Sequence, residues 1–221
     1  MKAAVLREVG KPLQIEDVKI GKPGPHEVLI RTAAAGVCHS DLHFMEGKYP
    51  YPLPAVLGHE SAGVVEAVGS EVRRIKPGDH VITCLSAFCG SCEFCVTGHL
   101  SLCVSPDTRR DPQAGEQRIT STTGPMNQYL NLSSFAEQML IHENACVSIR
   151  KDMPLDRAAL IGCGVMTGVG AVFHTSNVRP GETVAVIGCG GVGLAAVNGA
   201  ALAGAGRIIA IDMAPGKENL A

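Results

Sequence analysis

TVAVIGCGGVGLAAVNGAALAGAGRIIAID, residues 183–212, is the stretch whose reading decides the fold. Apolar and β-branched residues at 183–187 give way to Gly188, Gly190 and Gly193. An uncharged run of small residues over 192–203 follows, and a second apolar run over 207–212 ends on Asp212. Strand, turn, helix and strand in that order make a βαβ unit. G-x-G-x-x-G by itself is a weak signal. Here it follows a strand, opens a helix and lies 19 residues before an acid at the end of a second strand, the full context of a dinucleotide-binding turn. Gly188 permits the tight turn, Gly190 lets pyrophosphate approach the main chain, and Gly193 lets helix and strand pack closely. The helix start at Gly191 and Val192 offers N–H groups to the phosphates. Asp212 is suited to accept from ribose hydroxyls and to repel a 2′-phosphate, which points to NAD over NADP; a turn or helix-capping acid is the alternative. Cys189 reads as filler.

Working outward, residues 157–175 look like one or two buried helices broken by glycine, and Pro180-Gly181 is a turn. The first part of the chain is a different text. Residues 2–6, 13–18, 27–34, 61–68 and 80–83 are short β-branched or alternating runs separated by Gly-Pro and Pro-Gly pairs, and strand signals return over 135–149. They predict an antiparallel barrel or sandwich-like domain. Residues 104–131, with Gly124-Pro125 and a polar stretch at 108–112, read as an exposed excursion. The domain boundary is expected near residue 176, giving domains 1–175 and 176–221.

Composition narrows the function classes. With 19 Lys plus Arg against 21 Asp plus Glu the net charge is −2, and neither sign forms a block, so no nucleic-acid or membrane-surface partner is expected. Glycine is 26 of 221 residues, which calls for tight backbone at many positions. Residues 158–178 and 183–206 carry no charge and could be misread as a transmembrane hairpin. Glycine and polar residues interrupt both, and a buried parallel sheet with its crossover helix gives the same low charge. Nine cysteines without a secretory leader argue against a disulfide framework and for a reducing compartment, the cytoplasm.

Four of the nine, Cys89, Cys92, Cys95 and Cys103, stand as C-x2-C-x2-C-x7-C within a loop-like lobe at 84–103. Two-residue gaps turn successive sulfurs toward one point and the seven-residue loop returns a fourth, the geometry of a closed tetrahedral zinc site. Gly90, Ser91 and Gly98 supply turns. An iron–sulfur cluster is the rival, but its bacterial pattern continues with a three-residue gap and Cys-Pro, whereas here the gap is seven and Val104 follows. Filled by four protein ligands, the zinc would be structural. A nucleic-acid zinc finger is disfavoured because 84–103 contains no Lys or Arg.

Cys38, His59 and Cys163 are far apart, and taken singly each is open between an inert thiol or satisfied imidazole and a ligand. Their surroundings are richer: Cys38-His39-Ser40-Asp41-Leu42-His43, Gly58-His59-Glu60, and Gly162-Cys163-Gly164 followed by Thr167-Gly168. With the four-cysteine lobe and the glycine turn, these segments resemble the zinc-dependent alcohol dehydrogenases of the medium-chain dehydrogenase/reductase superfamily. The resemblance implies an α+β and α/β architecture, a GroES-like catalytic domain followed by a Rossmann domain of which 176–221 supplies the first βαβ. It implies two Zn(II) per chain and NAD as cofactors. Cys38, His59 and Cys163 would ligate a catalytic zinc, with Glu60 behind it and Asp41 fixing the His59 ring. Ser40 and His43 match the proton relay and Thr167 a nicotinamide-face contact. His39 stands where many relatives carry a pyrophosphate-binding arginine.

That likeness implies oxidation of a small alcohol to an aldehyde or ketone, and the reverse, in a homo-oligomer for the full-length family member. Because only two strands of the nucleotide domain are present, the chain is expected to be a fragment. A thiol adduct such as S-(hydroxymethyl)glutathione is one alternative substrate. A catalytically silent, zinc-stabilised binding module is the other.

Overall fold

The structure, a computed structural model, describes residues 1–108 and 117–220; most of the polar stretch at 108–112 therefore lies outside the described residues. The described chain parts into two compact units, Met1–Gly162 and Cys163–Ala221.

The first unit is built on two sheets. Six strands run in the order Gln14–Asp17, Lys2–Leu6, Ala55–Val56, Gly124–Gln128, Ile119–Ser121 and Lys19–Ile20. Five more run Gln138–His142, Glu27–Gly36, Glu60–Val68, His80–Thr83 and Cys146–Ile149. The strand read over 13–18 is Gln14–Asp17; a separate short strand, Lys19–Ile20, follows Val18, whose side chain is buried and whose N–H donates to the Met1 carbonyl. Val28, Ile30, Val65, Val81, Met139 and Ile141 form the main core of the second sheet, and Leu140, on the opposite face between Met139 and Ile141, is buried as well. Its longest pair, Glu27–Gly36 on Glu60–Val68, is antiparallel, and Gly36 lies opposite Glu60. The segments beginning at Cys38 and ending at His59 therefore leave the sheet at the same end.

The exposed excursion expected over 104–131 needs correction. Its second half contributes the strands Ile119–Ser121 and Gly124–Gln128, and Arg118 is buried. Arg118 Nε donates to Glu27 Oε1 at 2.7 Å and its terminal nitrogen to Gln128 Oε1 at 2.7 Å. Gln128 in turn donates to the Leu132 and Leu140 carbonyls. A polar composition misled because a fully bonded ion-pair network can be interior.

In the second unit Thr183–Ile187 and Arg207–Ile211 pair in parallel around the helix Gly191–Leu202. Val172, Ala200 and Ala203 pack with Val184 and Ile208 beneath it. The expected helical stretch is a succession of turns: Leu155–Ala158, a π-turn at Ile161–Val165, Met166–Gly170 and a second π-turn at Ala171–Thr175. By length and composition alone Leu155–Thr175 passes for a membrane-crossing helix. Part of it has protein neighbours: a Cβ on Gly168 would meet the Val192 carbonyl, and Val172 packs at Gly199, while Gly170 faces open space. Met166–Gly170, counted with the first domain in the sequence reading, packs within the second unit.

Candidate metal and cofactor sites

The lobe cysteines converge. Cys92 Sγ lies 3.5 Å from Cys95 Sγ and 3.9 Å from Cys103 Sγ, and Cys89 Sγ is 3.9 Å from Cys95 Sγ. Tetrahedral zinc with bonds of about 2.3 Å would hold sulfurs about 3.8 Å apart, so the four thiols suit that ion. Left-handed Gly90 and Gly98, at φ +80° and +85°, turn the chain back between them. The Ser91 and Cys92 amides donate to Cys89 Sγ at 3.4 and 3.3 Å, and the Cys89 amide to Cys103 Sγ at 3.3 Å. Hydrogen bonds from the Ser91 hydroxyl and amide, with the Cys92 amide, draw the Cys89 thiol down to about 5. Burial pushes Cys95 up to about 11, a preference that a bound dication would override.

A second cluster forms where the long strand pair ends. The ligand atoms of Cys38, His59 and Glu60 lie within 4.8 Å of one another. Beneath them Asp41 is buried at 1% exposure and accepts three hydrogen bonds: from the Cys38 amide (3.0 Å), the Gly58 amide (3.1 Å) and His59 Nδ1 (3.2 Å). With Nδ1 turned to the carboxylate, Nε2 is the atom His59 presents as a ligand. Two glycines make room here, and Gly58 is the one that its backbone requires. Gly58 adopts φ +90° with Phe135 and Ser134 where a side chain would go, and a Cβ on Gly36 would meet Glu60 Oε2 at 2.4 Å. Ser40 and His43 fall three apart on the short helix His39–Met45, so they share a face; both are half-buried, while His39 is exposed. Gly162 closes the first unit with its α-carbon pressed on the Thr83 carbonyl, which a Cβ would approach to 1.8 Å. Cys163, on the π-turn Ile161–Val165, is the next residue and opens the second unit.

The glycine turn has the assigned conformations. Gly188 is left-handed at φ +99°, and a Cβ on Gly193 would stand 1.7 Å from the Gly188 carbonyl. Around Gly190 and Gly191 there is open space, and Gly190 caps the helix that Gly191 and Val192 begin. Thr167 is exposed on its helical turn, and Cys189 is buried with its sulfur on the Ile211 carbonyl. Asp212 accepts from the Cys189 amide at 2.7 Å and from the Ala214 amide at 2.8 Å, so one acid both braces the turn and faces its rim. The Ala214 and Cys189 amides hold its carboxyl below the ordinary aspartate value. The stabilisation is complete above that value and is lost as pH falls through the depressed one. A carbon-13 titration should therefore place the Asp212 midpoint below about 4, with the Cys189 and Ala214 amide shifts moving in step. A midpoint above it contradicts the bracing.

Residues 24–151 match the alcohol dehydrogenase GroES-like domain family, a span that includes Cys38, His59 and the whole lobe. The chain belongs to the zinc-type, medium-chain alcohol dehydrogenases. It is 44% identical to an S-(hydroxymethyl)glutathione dehydrogenase of Escherichia coli O139:H28 over all of the chain and 61% of that protein. Its fold matches the crystal structure of an alcohol dehydrogenase zinc-binding domain protein from Burkholderia ambifaria with a TM-score of 0.92 at 41% identity, covering 99% of this chain and 60% of that one. Benzyl alcohol dehydrogenase from Acinetobacter calcoaceticus gives 0.90 at 36% identity, again over 99% and 60%. The chain thus spans about 60% of the length of these alcohol dehydrogenase relatives. One neighbour of the cluster at Cys38, His59 and Glu60 escaped the sequence reading. Tyr129, fully buried, sets its ring edge-on to His59 at a centroid distance of 5.8 Å. It lies in the stretch read as an excursion, and no spacing signal connects it to His59.

Proposed function

We propose that this chain carries the catalytic domain and the start of the cofactor domain of an NAD-linked, zinc-dependent alcohol/aldehyde oxidoreductase. The observation that carries the reading is the Asp41-oriented His59 beside Cys38, with Glu60 behind. Cys163 would complete a two-thiolate, one-imidazole ligand set, since it follows directly on Gly162, which is anchored to Thr83 in the same unit as the other ligands. When bound, zinc supplies Lewis acidity to the alcohol oxygen and NAD accepts hydride from the adjacent carbon. The chain's own residues do the rest. Asp41 holds the His59 ring; Ser40 and His43, on one helix face, carry the released proton outward. The main chain at Gly188, Gly190, Gly191, Val192 and Gly193 seats the pyrophosphate, Asp212 takes the ribose, and Thr167 borders the nicotinamide; His39 is assigned to the cofactor by the family likeness alone. Cys89, Cys92, Cys95 and Cys103 hold the second, structural zinc. Nine free thiols suit a reducing compartment such as the cytoplasm.

The test is metal content with turnover. Zinc-replete protein is expected to hold two ions, and Cys163→Ser to retain the lobe ion, lose the other and lose NAD-dependent alcohol oxidation. Undiminished turnover with both ions retained overturns the ligand set. One tightly held ion with no NAD reduction favours a zinc-stabilised binding module. The likeness to the Escherichia coli protein supports S-(hydroxymethyl)glutathione as a second substrate reading, which kinetics with and without glutathione decide.

A further inference from the structure

The five-stranded sheet of the first unit has the strands Gln138–His142 and Cys146–Ile149 as its two edges. Only the turn Glu143–Ala145 separates them in the chain. Across a flat sheet of five strands the edges would stand about 19 Å apart, whereas four residue steps reach at most about 14 Å. The sheet therefore curls until its edges meet, and this turn is the clasp that closes it.

The clasp is tied on several sides. The Glu143 amide donates to the His26 carbonyl at 2.8 Å, and the Cys84 amide to the Ala145 carbonyl at 2.8 Å. Asn144 Nδ2 donates to the Phe88 carbonyl at 2.7 Å. Cys84 and Phe88 belong to the stem of the four-cysteine lobe, Phe88 being the residue before Cys89. One imidazole orients Asn144: its amide donates to His142 Nδ1 at 3.1 Å, so His142 caps the turn. An acceptor ring nitrogen carries no proton. Charging the ring puts an N–H where the Asn144 amide already points, and the bond becomes a meeting of two donors.

The surroundings of His142 favour the uncharged ring. The His26 ring stacks on it at 6.0 Å, with 24° between the planes. Burial pulls the His142 value below that of an ordinary histidine; His26 and Arg118 add to this, while Glu143 and Glu27 oppose it. His26 Nδ1 lies 2.9 Å from Glu143 Oε1, a contact that either charge state of His26 allows and that tethers a side chain, not the Asn144 amide. A histidine whose folded value is lowered gives its stabilisation in full above the unfolded value of about 6.5, and loses it as pH falls through the lowered one.

We propose that His142 makes the clasp a pH-sensitive latch: uncharged, it locks Asn144 onto the stem of the lobe, and charged, it releases turn and stem together while the sheets stay folded. This device goes beyond the oxidoreductase reading and does not depend on it.

Amide exchange of the zinc-loaded chain tests it, with each rate referred to its intrinsic value at the same pH. Between about pH 7.5 and about pH 5, protection of the Cys84 and Asn144 amides is expected to fall about 2- to 30-fold, the range for losing a capping side chain, while the strand Glu60–Val68 stays protected. His142→Asn keeps an acceptor oxygen in the place of Nδ1 and does not titrate, so its protection should stay level over that range; His142→Ala should be weakly protected throughout. Acid acting on the lobe thiolates would loosen the Asn variant as much as the parent. A parent that loses no more protection than His142→Asn therefore overturns the latch. Nitrogen-15 shifts of the His142 ring in the unaltered chain give a readout that needs no variant. Nδ1 is expected to be the unprotonated nitrogen at about pH 7.5 and to take up a proton by about pH 5. A proton on Nδ1 at the higher pH overturns the cap, and a ring still uncharged at the lower one overturns the switch.

Discussion

Serine in place of Cys95 should remove one zinc per chain and unfold the lobe around it. The segment has almost no interior of its own. Cys95 and Cys103 are among its few buried side chains, whereas Val96, Leu100 and Leu102 are exposed, so apolar burial contributes little to its closure. Four sulfurs within 4.8 Å of one another, gathered by two short turns, take the place of a core. A structural zinc in small domains contributes about 10–16 kcal/mol of apparent binding energy to folding. A serine hydroxyl is a much poorer ligand for the ion than a thiolate. We expect metal analysis to show the loss of one ion, and amide exchange over 89–103 to become fast while the sheets stay protected. Retention of both ions with slow exchange in the lobe would contradict a metal-built fold there.

Arg118→Met should destabilise the first unit by about 3–5 kcal/mol, the range for removing one partner of a buried ion pair. The Arg118 and Glu27 side chains are 5% and 8% exposed. Without the guanidinium, Glu27 Oε2 still accepts from the Gly24 amide, but Oε1 loses its charged donor. Gln128 Oε1 loses a donor as well. The double variant Arg118→Met with Glu27→Leu should recover part of the loss, because an apolar pair of similar volume carries no desolvation penalty. Urea denaturation of the single and double variants checks both statements. A single variant within about 1 kcal/mol of the parent would show that the pair lies outside the cooperative core.

The contrast between these two regions explains what was legible in the sequence. The lobe and the glycine turn could be read because their chemistry is local: four cysteines within fifteen residues, three glycines within six, each spacing fixed by the geometry it must produce. The strands Lys2–Leu6, His80–Thr83 and Thr183–Ile187 were legible because β-branched runs end on turn residues. Cys38 and His59 became meaningful only through family likeness, since the antiparallel pairing of Glu27–Gly36 with Glu60–Val68 brings them together and no spacing records a pairing. The same holds for Glu27 with Arg118 and for Tyr129 with His59, contacts 91 and 70 residues apart in the chain. Polarity suggested an exposed excursion at 104–131 because a single-residue reading cannot tell a solvated arginine from one whose donors are taken up inside.

The glycine turn has one further consequence. Gly188, Gly190, Gly191 and Gly193 carry no side chain, and Val192 has only hydrocarbon to offer, so any grip on a diphosphate at this place comes from peptide dipoles. Such a cradle keeps its polarity through any shift in acidity, and point substitution can spoil its shape without altering its charge. Chemical individuality is left to the edge, where the Asp212 carboxylate stands.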